Sequence, residues 1–192
     1  PGNFQPVLRA APFFDHIFCQ GTEAIEILES AGIRGAAWLP MGCDPRHHYR
    51  EALTNGEEGI YRHDVVFVGS RYPVRERFFE ALSEFDLAVW GSGWDRLPPG
   101  SALESRVRGF HTPPEVWRKI YGTSKIVLAP HFKAPGESFP VYQASPRIFE
   151  ALACGAFVIC DGQKDVLSLF EDGRHLVVAR DPGEMREKVR YY

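Results

Sequence analysis

The residues best suited to chemistry lie in the stretch SPRIFEALACGAFVICD, Ser145 to Asp161. Ser145 is a residue type whose hydroxyl caps a helix by accepting a free backbone N–H. Pro146 follows at the first helical position, where a missing N–H costs nothing. Gly155 can close the helix in the left-handed conformation. Ile148, Ala151 and Leu152 fall at i, i+3 and i+4, the spacing of a core face. Arg147, Glu150 and Cys154 share a second stripe. The free amides and positive dipole end of such a helix make a natural seat for phosphate. Arg147 adds a forked, permanent charge beside that seat. Glu150, one turn on, can accept hydrogen bonds from a diol such as a ribose. The plainer alternative is a surface Arg147–Glu150 pair worth about 0.2–0.5 kcal/mol.

These residues need a frame. DHIFCQ reads as a strand, GTEAIEILESAGI as a helix and AAWLPMG as a second strand, one βαβ-like unit. CDPRHHYREALTNGEEGIYRHD is polar and rich in turn residues, and reads as a connector in which His47 and His48 are a solvated pair. The rhythm then restarts. DVVFVGS is a continuous apolar run, as expected of a strand buried on both faces of a parallel sheet. VRERFFEALSEF is helical, with Phe78, Leu82 and Phe85 on one side. DLAVWGSG, KIVLAPHF, AFVICD and HLVVAR read as further strands. TPPEVWRKIYGTS reads as a helix capped by Thr112, and DVLSLFEDG and DPGEMREKVRYY as two more. Alternating strands and helices from about Asp64 onward predict an α/β fold, a Rossmann-like doubly wound parallel sheet. Ligands of such sheets sit outside the carboxyl ends of the strands. The site is therefore expected in the loops GSRYPVR, GSGWDRLPPG, PHFKAPGESFPVYQAS and DGQKD.

Within those loops Gly69, Ser70 and Arg71 form a glycine turn, with a solvated Arg71 as the alternative. Trp94 is a candidate to stack on a base, whereas Trp90 alternates into the core. His131 is a candidate ligand contact with a structural histidine as its alternative.

The 192-residue chain is 44% apolar and 24% charged, ordinary for a globular protein. A net charge of −3 supplies no general attraction to nucleic acid or an anionic membrane surface. No apolar run is long enough to span a bilayer. The start, PGNFQPVLRA, has neither an initiating Met nor an apolar signal core, and reads as a processed or excised chain. Cys19, Cys43, Cys154 and Cys160 lack paired spacing, which points to free thiols in a reducing cytoplasm and away from zinc or disulfides.

PRIFEALACGAFVICD resembles the EA-x-A-C-G-x-P-V-I stretch of the group 1 glycosyltransferases, whose GT-B architecture has two Rossmann-like halves. WLPMGCDPRHH resembles their linker, DVVFVGS the first strand of their donor-binding half, and LFEDGRHLVVARDPGEMREKVRYY their ending. VWGSGW and SPRIFEA are similar to the CgeB-like subfamily. The resemblance covers about Trp38 to Tyr192. It implies that residues 1–58 are a remnant of the acceptor-side half with the interdomain linker, and that residues 59–192 are the donor-binding domain. It places Glu150 at the donor ribose, the Gly69–Ser70–Arg71 turn at the phosphates, and the loop before Pro146 at the sugar and diphosphate. Gly69, Ser70, Arg71, Trp94, His131, Ser145, Arg147 and Glu150 are the expected donor-binding residues. No catalytic residue is assigned.

The sequence departs from that pattern in three respects. Tyr142 stands where the usual E-x7-E pair has its first carboxylate, and Glu137 lies too far upstream to replace it. The basic residue after the glycine turn is matched loosely, by Arg71, Arg75 or Arg77. Most of the acceptor-side half is missing. The implied activity is transfer of a sugar from a nucleotide diphosphate-sugar to an unknown acceptor, with retention of configuration. No Asp-x-Asp occurs, so no metal or other cofactor is expected. A non-catalytic nucleotide-sugar or sugar-binding module is the alternative. A phosphoacceptor signalling domain fits less well, because only Asp161 ends a strand suitably and no second acidic cluster accompanies it.

Overall fold

The computed structural model describes residues 4–132 and 141–192. The chain runs α1 (Gln5–Ala10), β1 (Ile17–Cys19), α2 (Thr22–Ser30), β2 (Ala36–Trp38), α3 (Glu58–Tyr61), β3 (Val65–Val68), α4 (Pro73–Glu80), β4 (Leu87–Trp90) and β5 (Val107–Gly109). It continues with α5 (Pro114–Thr123), β6 (Ile126–Ala129), α6 (Pro146–Ala153), β7 (Val158–Cys160), α7 (Lys164–Leu169), β8 (Val177–Val178) and α8 (Pro182–Tyr191). β1 and β2 pair in parallel as a small separate sheet. The other strands form a parallel sheet in the order β5-β4-β3-β6-β7-β8. The order reverses between β3 and β6, and a doubly wound sheet opens its crevice at that reversal. Among the described residues, no helix is long and apolar enough to cross a membrane.

Alternation along each strand builds two cores. Val66, Val68, Val127 and Ala129 face one side, against Ile120 and Tyr121 of α5 and Ile148 and Ala151 of α6. Val65, Phe67, Ile126 and Leu128 face the other, against Phe78 and Phe79 of α4 and Met185 and Val189 of α8. β3, β4 and β6 are buried throughout, which is why their sequences read as unbroken apolar runs. The edge strand β5 was not expected. Its sequence, VRG, is short, half-buried and carries Arg108, so it shows no apolar run. The cap of α5 also differs: Pro113, not Thr112, occupies the N-cap position, and Pro114 opens the helix.

The polar connector is tied down along α5. Glu51 pairs with Arg118 at 2.7 Å and Glu57 with Lys119 at 2.6 Å. Arg50 Nε donates to the Gly122 carbonyl at 3.0 Å. The small sheet is held by Asp165, whose carboxylate accepts the Thr22 amide at 2.8 Å and its hydroxyl at 2.6 Å. Asp165 thereby caps α2 from another part of the chain.

Candidate functional site

At the sheet's reversal point the chain leaves β3 through Gly69 and leaves β6 through Pro130. Arg75 of α4 clamps these two ends: its Nε donates to Pro130 O at 3.0 Å and its Nη1 to Ser70 O at 2.8 Å. Its guanidinium lies 5.1 Å from the Phe67 ring centre, and the residue is 5% exposed. Burial, and then the like charge of Arg147, push Arg75 down to about 9.

Arg147 reaches the same place from α6. Its Nε donates to Val68 O at 2.5 Å, and its guanidinium lies 4.6 Å from the Phe67 ring centre. A Cβ on residue 69 would stand 2.1 Å from Arg147 Nη2, so glycine there leaves the path open for the guanidinium. Arg147 Nη1 is buried with no hydrogen-bond partner among the described residues. Among those residues neither guanidinium enters an ion pair. Arg75 and Arg147 thus bring two guanidinium groups to the Phe67 ring at the end of β3, one of them with a buried Nη1 that has no partner among the described residues.

α6 begins at Pro146 as expected, but its cap differs. The Ser145 hydroxyl makes no capping bond; the Ser145 carbonyl accepts the Ile148 amide at 3.0 Å. The Ser145 amide donates to His131 Nε2 at 2.9 Å. The Arg147 amide, in the first turn of α6, has no main-chain acceptor among the described residues. Gly155 closes the helix at φ 74°.

Glu150 lies half-buried on the face it shares with Arg147. Burial raises its carboxyl above the ordinary value, and Arg147 and His48 partly offset this. The alternative, a surface ion pair between Arg147 and Glu150, is not formed among the described residues, because Arg147 turns inward to Val68. Of the connector pair, His47 is exposed, whereas His48 is half-buried with its ring stacked on Trp117 at 5.3 Å, the planes 26° apart. Tyr121 is buried beside Arg147, and burial pushes its phenol up.

The other expected residues divide. Gly69 stands at the rim, its amide bonded to Trp90 O at 2.8 Å. Ser70 lies beside it, its hydroxyl 2.9 Å from that of Ser92. Arg71 is held by Glu76 at 2.6 Å, whereas Arg75 takes the buried position at the crevice and Arg77 is exposed. Trp94 is corrected. It is 2% exposed, stacks on Phe79 at 5.7 Å and donates its Nε1 to Gly69 O at 2.8 Å, so it is core, as Trp90 is. His131 is also corrected as a direct ligand contact. It is 1% exposed, and both ring nitrogens are engaged, Nδ1 with Asp161 at 2.5 Å and Nε2 with the Ser145 amide. Tyr142 has its carbonyl bonded to the Asp165 amide at 3.0 Å and its ring 4.5 Å from Lys164 Nζ. Glu137 and most of the loop before Tyr142 lie outside the described residues. Sequence reasoning gave Asp161 no role here and left Arg75 as one of three options. No sequence signal separates Arg75 from Arg71, because the burial of Arg75 depends on β3 and β6 converging beneath it.

The profile of the "Glycosyl transferase-like" family matches residues 71–192, more than half of the chain. No curated protein matches at the sequence level. Among solved structures, Anabaena Alr3699/HepE in complex with UDP-glucose matches at a TM-score of 0.68 and 18% identity, over 100% of this chain and 58% of that one. Sucrose-phosphate synthase of Thermosynechococcus elongatus matches at 0.59 and 14%, over 92% of this chain and 54% of its own. AviGT4, a glycosyltransferase involved in avilamycin A biosynthesis, matches at 0.58 and 17%, over 92% and 57%. The chain thus spans little more than half the length of these structures.

Proposed function

The chain belongs to the glycosyl transferase-like family, and from that premise we propose that it binds the diphosphate of a nucleotide-sugar donor between β3 and β6 and serves sugar transfer to an acceptor. The observation that carries this reading is Arg147: a half-buried residue whose buried Nη1 has no partner among the described residues, with its guanidinium at the same Phe67 ring as that of Arg75. A diphosphate supplies the missing negative charge. When the sugar leaves, charge grows on that diphosphate, and donors already fixed there stabilise the transition state more than the ground state. Glu150, one turn along α6, accepts from the ribose hydroxyls. That a structural neighbour was solved with UDP-glucose supports a nucleotide-sugar as the ligand class.

Three finer points belong to the same proposal. Metal independence rests on the absence of Asp-x-Asp from the sequence. Retention of configuration and a cytoplasmic setting rest on the resemblance and on the unpaired cysteines. The CgeB-like branch rests on VWGSGW and SPRIFEA. The test is calorimetry of the intact chain with UDP-, GDP-, ADP- and TDP-sugars, with and without EDTA, then with Glu150→Ala. Millimolar or tighter binding that survives EDTA and weakens in the variant is expected. Failure of every nucleotide to bind at millimolar concentration would sink the reading.

A second reading is donor binding without turnover. It is favoured by Tyr142, which brings no carboxylate where the family pattern has one and whose carbonyl is committed to Asp165. Donor hydrolysis or transfer that disappears in Glu150→Ala would eliminate it.

A further inference from the structure

His131, Asp161 and Ser145 form a chain of hydrogen bonds between three elements. Both Asp161 carboxylate oxygens accept the His131 backbone amide, each at 3.1 Å. Asp161 Oδ1 also lies 2.5 Å from His131 Nδ1, and Gln163 Nε2 donates to Oδ2 at 3.0 Å. On the far side of the ring, His131 Nε2 meets the Ser145 amide at 2.9 Å. An amide nitrogen can only donate. Nε2 must therefore carry its lone pair, and the single imidazole proton sits on Nδ1, given to Asp161. A second proton would set two N–H groups face to face, so the imidazole is neutral here.

The start of α6 is thus pinned on both sides of the reversal point. On one side the His131 ring, fixed by Asp161 at the end of β7, grips the main chain at Ser145. On the other side the Arg147 side chain reaches Val68 O at the end of β3. Pro146 between them has no amide. The Ser145 bond is consequently the main-chain anchor immediately before the Arg147 amide. If it is lost, the anchored turn can shift and Arg147 Nη1 no longer has one fixed direction.

We propose that His131 is a positioning residue for the anion seat: held as its Nδ1–H tautomer by Asp161, it fixes the Ser145 amide and thereby aims the Arg147 amide and guanidinium, without itself touching the donor. The part concerning the seat rests on the donor-binding reading above.

Two substitutions separate the two ends of the ring. His131→Asn keeps a donor near the Nδ1 position for Asp161 but cannot reach Ser145. His131→Gln places an amide oxygen near the Nε2 position, where it can accept from Ser145. The readouts are the 15N signature of the His131 ring in the wild-type chain, hydrogen exchange at the Ser145 amide, and UDP affinity by calorimetry. The expected results are an Nδ1-protonated ring and fast Ser145 exchange in His131→Asn with protection retained in His131→Gln. UDP binding should weaken about tenfold in the Asn variant, the worth of one hydrogen bond, and return to within about threefold of wild type in the Gln variant. A ring protonated on Nε2, unchanged Ser145 exchange in the Asn variant, or UDP binding equally weak in both variants overturns the proposal. If the wild-type chain binds no nucleotide, the donor reading fails, while ring tautomer and Ser145 exchange still decide whether His131 fixes the helix start.

Discussion

The Arg147 guanidinium occupies the space that a side chain on Gly69 would need: a Cβ there would stand 2.1 Å from Nη2 and 3.0 Å from Cζ. The backbone cannot yield easily, because the Gly69 carbonyl already fills the position of a Cβ on Gly91, at 2.3 Å. Gly69→Ala should therefore expel Arg147 from Val68 and weaken UDP binding by about tenfold or more, the range for losing a charge-assisted hydrogen bond. In an Arg147→Ala background the same change should add little to the binding loss. Calorimetry of the two single variants and the double variant measures this coupling, and additive losses would contradict it.

Arg75 gives the site a pH dependence whose sign can be worked out. Burial and the like charge of Arg147 hold its folded-state value, about 9, well below the ordinary arginine value, so the fold disfavours the protonated form. Stability should therefore rise as pH increases from about 9 towards the ordinary arginine value. A bound diphosphate reverses the preference by favouring the charged guanidinium. Nucleotide affinity should fall as pH rises through about 9, and binding near that pH should take up a proton, visible as a buffer-dependent heat. Arg75→Leu should remove this limb. It also leaves Pro130 O and Ser70 O without their donor, at about 1–3 kcal/mol for a buried polar group.

Glu150 should show a trade-off between stability and binding. Burial holds its carboxyl above the ordinary value, so its ionised form is disfavoured by folding. That cost is absent below the unfolded value of 4.5 and grows as pH rises through the folded value. Glu150→Gln keeps the shape and removes the charge. Its thermal midpoint near neutral pH should equal or exceed that of the wild type, while nucleoside diphosphate affinity drops about tenfold. A variant that loses stability and keeps affinity would place Glu150 among the structural residues.

Much of this arrangement could be read in the sequence, because it depends on local pattern. The runs VVFV and IVLA are buried on both faces and announce a parallel sheet; Pro146 and Gly155 mark where α6 starts and stops. What escaped depends on neighbours far along the chain. Trp94 follows a glycine turn like many ligand-stacking residues, yet its ring is consumed by Phe67 and Phe79 from β3 and α4. Arg71 and Arg75 are equally plausible in a helix-opening loop. Only the convergence of β3 and β6 beneath Arg75, and the presence of Glu76 within reach of Arg71, distinguishes them. Ser145 has the right residue type for a cap, but its hydroxyl makes no capping bond, and its role in the fold is carried by the amide that donates to His131.

Asp161 links the positioning chain to acid stability. Burial alone would raise its carboxyl, but the bonds from His131 and Gln163 outweigh this and hold it below the ordinary 3.8. A depressed carboxyl contributes stability that is complete above its unfolded value and is lost as pH falls through the lower folded value. Protonation also removes the anion that keeps the His131 proton on Nδ1, so the Ser145 anchor should loosen in the same window. Asp161→Asn should lower the thermal midpoint near neutral pH and flatten the loss of stability below the ordinary carboxylate range. It should also speed hydrogen exchange at the Ser145 amide, since a neutral amide holds the ring in one tautomer less firmly than a carboxylate does. Thermal unfolding across an acid pH series, read together with Ser145 exchange, checks both effects. An Asn variant with the wild-type acid profile and an unchanged Ser145 amide would mean that Asp161 neither contributes charge-dependent stability nor orients His131.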